Sequence, residues 1–259
     1  MSGEDIFEVR RFDQLGSTNT HLLEQARAGA PEGTVVVADH QSAGRGRLGR
    51  RWEAPPGTCL LVSVLLRPVT GPEERPLATA AVALAAVEAC QVVAGVSPDV
   101  KWPNDLVVAD RKLAGVLAEA DPGAGGGPEG SVAVVVGLGL NIEWPGPPGV
   151  GGTCLAHLTG RSLDRDRLLD AWLCALAPRV VALRSADGRL DLAQELRERC
   201  STLGRPVRVE LVDGSVVEGT ATGLSDGGHL VVGTASGPVV ITAGDVIHLR
   251  PNGSTQGGG

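Results

Sequence analysis

Tyrosine is absent from this chain of 259 residues, which also has only two phenylalanines and four tryptophans. Since aromatic residues make up 2% of the composition, valine, leucine and alanine must fill the core, and few rings can stack on nucleic-acid bases. Lysine is scarce as well, because 21 of the 23 basic residues are arginine and only Lys101 and Lys112 are lysine. The formal net charge is −7, whereas a general nucleic-acid binder should be basic. The composition therefore disfavours such a binder.

The patterns of a secreted, membrane or disulfide-stabilised protein are also missing. The acidic start is followed by no apolar signal region. The most apolar stretch, 78–94, contains Glu88 and Gln91 and is predicted to be an alanine-rich core helix rather than a membrane span. Five widely spaced cysteines without a C-x-x-C pair predict free buried thiols rather than disulfides or a structural metal site. We therefore expect a cytoplasmic protein with no membrane partner.

Strand-like and helical segments alternate along the first 200 residues. A short helix is predicted to begin at an N-cap, Ser17 or Thr18, and to end at Gly29. Five apolar runs have the length of a strand: 34–39, 58–66, 100–108 (interrupted at Pro103), 112–119 and 132–140. Three segments are predicted helices: 78–94, 164–183 and 191–200. Glycine- and proline-rich stretches at 121–130 and 145–152 are predicted to be loops.

After residue 200 the periodicity changes to short alternating strands. Val207 and Val209 alternate with charged residues, and Asp213-Gly214 is typical of a hairpin turn. About five such strands predict a small β-barrel. We therefore expect a larger domain over residues 1–200, a barrel over 201–250 and a disordered tail at 251–259.

The most informative segment is Gly44-Arg45-Gly46-Arg47-Leu48-Gly49-Arg50. Glycine lets a ligand approach the backbone closely, and guanidinium groups match the oxygens of phosphate and carboxylate. Four arginines within residues 45–51 have no acidic residue among them and should repel one another. We therefore expect a loop that is mobile when empty and ordered over a bound phosphate. A solvated basic loop and an RNA contact are the alternatives at this point.

Two further segments carry the lysines. Lys101-Trp102-Pro103-Asn104-Asp105 ends in oxygen ligands of the kind that suits Mg²⁺, which usually takes one or two carboxylates plus substrate phosphates. An ordinary turn is the alternative for this segment. Lys112 opens an apolar strand, where it is either a surface residue or a charge aimed at an anion.

A glycine-rich strand, Gly137-Leu138-Gly139-Leu140-Asn141, completes the candidate site. It is not a dinucleotide fingerprint, because Ile142 stands where the third glycine belongs. Its glycines are predicted to let a ligand lie flat on the strand. Together the segments predict a site for an anionic small molecule and a nucleotide, as the joining of a carboxylate to ATP requires.

At Ser17-Thr18-Asn19, Gln41 and the segments GRGRLGR, KWPND, RKLAG and GLGLN, the chain resembles the biotin–protein ligases, which biotinylate carboxylase carrier domains. Several motifs in family order over roughly 130 residues make the resemblance specific. It implies an α+β fold: a mixed β-sheet with flanking helices, related to class II synthetases and lipoate ligases, followed by a small SH3-like barrel. It also implies ATP-dependent ligation through biotinyl-adenylate.

The resemblance assigns roles to individual residues. The catalytic residues are expected to be Lys112, Arg47 and Lys101. Biotin is expected to contact Ser17, Thr18, Asn19, Gln41, Arg45, Gly46, Arg47, Lys112 and Gly115. ATP or the adenylate is expected to contact Arg47, Arg50, Trp52, Lys101, Asn104, Lys112 and Asn141, with Trp52 near the adenine. Asp105 is the candidate Mg²⁺ ligand.

Substrates and partners follow from the same resemblance. ATP with Mg²⁺ is the expected co-substrate, biotin the substrate, and a biotin carboxyl carrier domain of an acyl-CoA carboxylase the protein partner, with no structural metal. About a dozen residues precede the Ser17 region, too few for the winged helix of some relatives, so we expect no DNA partner. A weak or ligand-linked homodimer stays open. The alternative functions are lipoate or octanoate ligation and, in another class, RNA binding through the arginine loop.

Overall fold

The computed structural model describes residues 6–68, 71, 74–124, 132–149 and 151–249. The predicted disordered tail, 251–259, and most of the predicted loop 121–130 lie outside the described residues. Within the described part, the chain forms a seven-stranded sheet with helices on both faces and a separate five-stranded sheet.

The larger sheet is mixed. Its strands are β1 Glu8–Leu15, β2 Thr34–Gln41, β3 Cys59–Leu66, β4 Asp99–Lys101, β5 Asp105–Val108, β6 Arg111–Asp121 and β7 Ala133–Asn141. They lie in the order β1-β2-β3-β7-β6-β5-β4. β1 and β2 are parallel, whereas all other neighbours are antiparallel. The α+β class with a mixed sheet is therefore confirmed.

The described helices begin and end at local signals. They are α1 Thr18–Arg27, α2 Pro76–Ala94, α3 Leu155–Thr159, α4 Arg165–Ala182 and α5 Ala186–Arg199. The Ser17 side chain accepts a hydrogen bond from the Thr20 backbone amide and caps α1, as predicted. Asp164 and Ser185 cap α4 and α5 in the same way. Gly95 ends α2 in the left-handed conformation, at φ 68°.

The two faces of the larger sheet carry different helices. Because side chains alternate along a strand, Val134 and Val136 of β7 pack in the larger core with α2 and α4, whereas Val135 packs with Leu22 of α1. The glycines of β7, at positions 137 and 139, share the face of Val135. This places them beside the N-terminus of α1.

Helix α2 is the central helix of the larger core. It is the one helix among the described residues that is long and apolar enough to cross a membrane, with a mean hydropathy of 1.9 over its most apolar stretch. However, twelve of the fourteen residues from Leu77 to Cys90 are buried against the sheet and the other helices. It therefore packs as the predicted alanine-rich core helix.

The second sheet forms a C-terminal β domain. Its strands are β8 Pro206–Glu210, β9 Val216–Leu224, β10 Leu230–Thr234, β11 Gly237–Ile241 and β12 Asp245–His248. They lie in the antiparallel order β11-β10-β9-β8-β12. The five short strands after residue 200 are thus confirmed, while the exact division at residue 200 stays a prediction.

Several elements differ from the sequence prediction. The predicted strand 100–108 is an antiparallel hairpin of β4 and β5, because the chain reverses between Lys101 and Asp105. β1 and α3 were not predicted, and α5 begins five residues earlier than expected. The prediction that all cysteines are buried is wrong at Cys174, which is exposed, whereas the other four are buried and free.

Arg67, which follows β3, is a buried residue that links two loops through hydrogen bonds. Its side chain is only 4% exposed and donates to Ala124 O (2.8 Å) and Ala30 O (3.2 Å). We expect Arg67→Met to lower the free energy of unfolding by about 2–4 kcal/mol, because two carbonyl groups lose buried donors. Urea denaturation measures this effect. Arg167→Met, at an exposed position of α4, is the control and should change stability by less than about 0.5 kcal/mol.

Candidate functional site

A cavity of about 500 Å³ lies against the α1 face of the larger sheet. Every residue to which the sequence assigned a site role lines it: Ser17, Thr18, Asn19, Gln41, Arg45, Gly46, Arg47, Arg50, Trp52, Lys101, Asn104, Asp105, Lys112, Gly115 and Asn141. The C-terminal β domain contributes further lining residues, among them Glu210 and Asp245. The cavity is thus built from both sheets.

One end of the cavity is a closely hydrogen-bonded polar pocket. Gln41 Oε1 accepts from the Thr18 backbone amide (2.7 Å) and lies 3.1 Å from Thr18 Oγ1. Ser63 Oγ lies 2.6 Å from Asn19 Oδ1 and 2.7 Å from Thr18 Oγ1. The Asn19 amide donates to Glu119 Oε2 (2.9 Å) and to a backbone carbonyl of β6. Ser63 of β3 and Glu119 of β6 were not predicted, because neither belongs to one of the short motifs and only the fold brings them to Asn19.

The floor of the cavity is made of glycines that other side chains approach closely. An added Cβ at Gly137 would lie 2.2 Å from Asn19 Oδ1, and one at Gly139 would lie 2.6 Å from the Trp52 ring. One at Gly115 would also contact the ring, at 3.1 Å. The Trp52 indole therefore covers Gly115 and Gly139. Its predicted place beside the adenine stays a prediction.

Lys112 is paired with a carboxylate inside the cavity. Its Nζ lies 2.6 Å from Asp105 Oδ1 and 5.7 Å from the centroid of the Trp52 ring. The neighbouring Asn104 uses its amide to donate to Val116 O, at 2.7 Å. Asp105 is thus the partner of Lys112 in this arrangement, in addition to being the candidate Mg²⁺ ligand. A magnesium ion held mainly by substrate phosphates needs only one or two such carboxylates.

The arginine loop has acidic partners, contrary to the prediction. Arg45 pairs with Glu119 of β6 at 3.0 Å. Arg47 lies 3.4 Å from Asp245 Oδ1, and Arg50 also pairs with Asp245. The prediction was wrong because both carboxylates are far away in sequence. Burial lowers the pKa of the Arg47 guanidinium from its usual value, and the charge of Asp245 opposes this shift.

Asp245 of β12 is a further site residue that the sequence did not indicate. Its carboxylate contacts both Arg47 and Arg50, while the preceding carbonyl, Gly244 O, accepts from Arg47 Nη2 at 3.1 Å. Leu48, between the two arginines, is 60% exposed and adopts a left-handed backbone at φ 53°. The turn of the loop is therefore anchored from outside by the C-terminal β domain.

Removing this anchor should expose the loop to proteolysis. We expect Asp245→Ala to increase several-fold the rate at which trypsin cleaves after residues of the 45–51 loop, because Arg47 and Arg50 lose their common partner. Mass spectrometry of the early fragments measures the rate. Asp213→Ala is the matched control, since Asp213 contacts only Ser215 in its own turn. Equal cleavage of both variants would contradict the anchoring role.

The C-terminal β domain also holds the lysine-bearing hairpin. The Trp102 backbone amide donates to Thr202 Oγ1 (3.0 Å), which lies 3.1 Å from His248 Nε2. The Trp102 indole donates to Gly228 O at 3.0 Å. Burial, with the positive charge of Lys101, lowers the pKa of His248 to about 4. His248 is therefore neutral at physiological pH and adds no charge to the cavity.

Asn141 closes the other end of the cavity. Its amide donates to Thr153 O (3.0 Å), and its Oδ1 lies 3.6 Å from Cys59 Sγ. Burial raises the pKa of the Cys59 thiol to about 11, so this sulfur is a weak donor rather than a nucleophile. Among the described residues, no group of three His, Cys, Asp or Glu side chains could hold a metal ion.

Residues 12–141 match the model of the biotin/lipoate A/B protein ligase family, and residues 202–249 match that of the biotin protein ligase C-terminal domain. A biotin–[acetyl-CoA-carboxylase] ligase of Mycobacterium tuberculosis is 38% identical over 92% of this chain and 87% of its own length. A biotin–[acetyl-CoA-carboxylase] ligase of Paracoccus denitrificans is 31% identical over 89% of this chain and 96% of its own length. The structure of an Aquifex aeolicus biotin protein ligase with biotin and ATP superposes with a TM-score of 0.77, at 25% identity, covering 94% of this chain and 99% of the other.

Proposed function

Since this chain belongs to the biotin/lipoate A/B protein ligase family, we propose that it is an ATP-dependent biotin–protein ligase. It activates biotin with ATP to biotinyl-5′-adenylate and then transfers the biotinyl group to protein. Within the site, the observation that carries this function is that one cavity contains both a hydrogen-bonding polar pocket and six cationic side chains. Lipoate ligation and RNA binding are not favoured.

The polar pocket suits the ureido ring of biotin. That ring offers N–H donors and a carbonyl acceptor, which Thr18, Gln41 and Ser17 can pair with because their side chains line one end of the cavity. A lipoyl chain offers no such groups. Asn19, Arg45, Gly46 and Gly115 are proposed to shape the same pocket.

The cations support the first chemical step. An oxygen of the biotin carboxylate attacks the α-phosphorus of ATP, a phosphorus–oxygen bond forms, and pyrophosphate leaves. Both reactants are anionic, so Lys112 and Arg47 are proposed to offset their repulsion and the charge that develops, with Lys101 supporting the phosphates. Arg50, Trp52, Asn104 and Asn141 are proposed to hold the rest of the nucleotide.

Magnesium is proposed to enter with the phosphates of ATP. Asp105 lines the cavity beside Lys112 and would supply the protein carboxylate. When bound, the ion neutralises phosphate charge.

The second step needs an amine from a protein partner. Relatives of this chain are named biotin–[acetyl-CoA-carboxylase] ligases. We therefore propose that a lysine of a biotin carboxyl carrier domain supplies the amine. Its nitrogen attacks the acyl carbon of the adenylate, the bond from that carbon to the phosphate oxygen breaks, AMP leaves, and the ammonium releases a proton.

Biotin-dependent exchange of radiolabelled pyrophosphate into ATP tests the proposed function. We expect exchange with biotin and none with lipoate or octanoate. Exchange with lipoate alone would overturn the biotin assignment and support the alternative. The absence of a DNA partner, a ligand-linked homodimer and a cytoplasmic location stay predictions.

A further inference from the structure

A second cavity, of about 580 Å³, lies on the other face of the larger sheet. Its walls include Ala118, Ala120 and Val134, which do not line the candidate site. Helix α2 forms the opposite wall, and the C-terminal β domain closes one end with Gly228 and His229. This cavity adjoins the candidate site, with which it shares Arg47, Trp102, Pro103, Asn104, Val116 and Leu117, but Arg75 and His229 line only the second cavity.

Two of its polar lining residues, Arg75 and His229, belong to segments that meet at the start of α2. Arg75 is the N-cap residue of this helix, which has no side-chain cap, and its Nε is buried without a hydrogen-bond partner. His229 is only 8% exposed, and neither of its ring nitrogens has a partner. An added Cβ at Gly228 would lie 3.4 Å from Leu77 and 3.7 Å from Pro76, so His229 is held beside the first turn of α2. A helix N-terminus, an arginine and an imidazole together favour an anion.

The formally charged side chains among the described residues that line this cavity are all positive. Among the described residues that line the cavity, there is no aspartate or glutamate, while Arg47 and Arg75 both contribute. This is unusual in a chain with a net charge of −7. The buried Arg75 Nε and the His229 ring nitrogens therefore have no carboxylate partner in this lining.

Away from this polar end, the cavity is apolar. Its floor is made of small or aliphatic side chains: Ala80, Ala83, Val100, Val116, Ala118, Ala120, Val134 and Leu196. In a chain with 2% aromatic residues, these side chains are too short to fill the space between α2 and the sheet. An apolar cavity with a few convergent polar groups is the usual form of a small-molecule site.

We propose that this cavity binds a small amphipathic carboxylate, with its anionic head at Arg75, His229 and the first turn of α2. Its aliphatic body lies over the alanines of α2 and the valines of β6 and β7. The binding does not rest on the proposed function. The effect of this binding on catalysis, by contrast, rests on the proposed function.

The consequence follows from Arg47, which lines both cavities. The two cavities meet beyond Asp105, where β5 stops pairing with β6 and leaves the remainder of β6 without a neighbour on that side. An anion in the second cavity attracts the Arg47 guanidinium away from Asn104 and the adenylate site. Occupancy should therefore slow adenylate formation without displacing biotin.

Isothermal titration calorimetry with octanoate tests the binding, on the full chain saturated with biotin and a non-hydrolysable ATP analogue so that both parts of the candidate site are filled. We expect one octanoate to bind per chain. Octanamide, which lacks the negative charge, and inorganic phosphate, which lacks the aliphatic chain, should show no saturable binding. Arg75→Gln should weaken binding by about tenfold, because a charge-assisted hydrogen bond is lost. Ala83→Phe should abolish binding by filling the floor. Arg167→Gln, an exposed arginine of α4, controls for net charge and should bind as the original chain does.

Three results would overturn the proposal: no saturable octanoate binding, binding unchanged in both Arg75→Gln and Ala83→Phe, or equal binding of octanamide. Loss of octanoate binding when biotin is added would assign it to the candidate site and also overturn the proposal. For the catalytic consequence, octanoate should slow biotin-dependent pyrophosphate exchange in the original chain but not in Ala83→Phe. Absence of exchange in every sample would contradict the proposed function and leave the calorimetric result standing.

Discussion

Replacing Lys112 by arginine is expected to slow adenylate formation by about 10²–10³-fold, although the positive charge is kept. The Lys112 ammonium is compact: its Nζ sits 2.6 Å from Asp105 and would lie 3.2 Å from a Cβ added at Gly115. A planar guanidinium is wider and presents its donors in a fixed fork, so it cannot place one donor at the same point between the reacting carboxylate and phosphate. The loss should fall on the rate of chemistry, because the interaction strengthens as charge develops.

Single-turnover formation of biotinyl-adenylate measures this rate without the contribution of product release. Arg111→Lys is the matched control, since Arg111 is the preceding residue of β6, lies outside the cavity and binds only the carbonyl of Gly152. It should adenylate biotin at nearly the original rate. An unchanged rate in Lys112→Arg would remove Lys112 from the catalytic residues.

The parts of the fold that were predicted correctly are those determined by neighbouring residues. Helix α1 follows from the Ser17 cap and the apolar spacing of Leu22 and Ala26. Strand β3 is a run of eight buried residues bounded by turns, which is the pattern of a strand covered on both faces. In each case the local pattern and the tertiary environment agree.

The missed elements are those whose sequence shows no such pattern. β1 reads EVRRFDQL and is mostly exposed, because it is an edge strand paired only with β2. Because most of its residues are polar, β1 lacks the alternation of apolar residues from which a strand is predicted. The β4–β5 hairpin was read as one interrupted strand, since a pattern of residues does not show that the chain reverses at Pro103.

The candidate site likewise contains residues that the sequence predicted and residues that it did not. Short motifs identified its arginines, lysines and glycines, because the chemistry of anion binding needs those residue types close together in sequence. Their partners were not identifiable: Glu119 and Asp245 are ordinary acidic residues of β6 and β12 that only the assembled structure brings to Arg45 and Arg47. Electrostatic neutralisation of the loop is therefore a property of the tertiary structure.

Substitution of Gly137 by alanine is expected to raise the KM for biotin by about 10–100-fold. The added Cβ would lie 2.2 Å from Asn19 Oδ1 and 3.2 Å from Ser63 Oγ, and Asn19 cannot retreat because its amide is held by Glu119 and a β6 carbonyl. Overpacking of this kind costs about 1–3 kcal/mol, and each 1.36 kcal/mol is a factor of ten. The displaced Asn19 disturbs Thr18 through Ser63, which lies between them.

The measurement is biotin-dependent pyrophosphate exchange over a range of biotin concentrations, with thermal unfolding recorded for each variant. Gly223→Ala is the control, because Gly223 is also in a strand, β9, and an added Cβ there meets no atom within 4 Å. It should leave the KM unchanged. For Gly137→Ala, a raised KM together with a preserved unfolding transition places the damage in the pocket, since a general loss of folded protein would lower the maximal rate instead. An unchanged KM in Gly137→Ala would show that the Asn19–Ser63–Thr18 contacts do not form the biotin pocket.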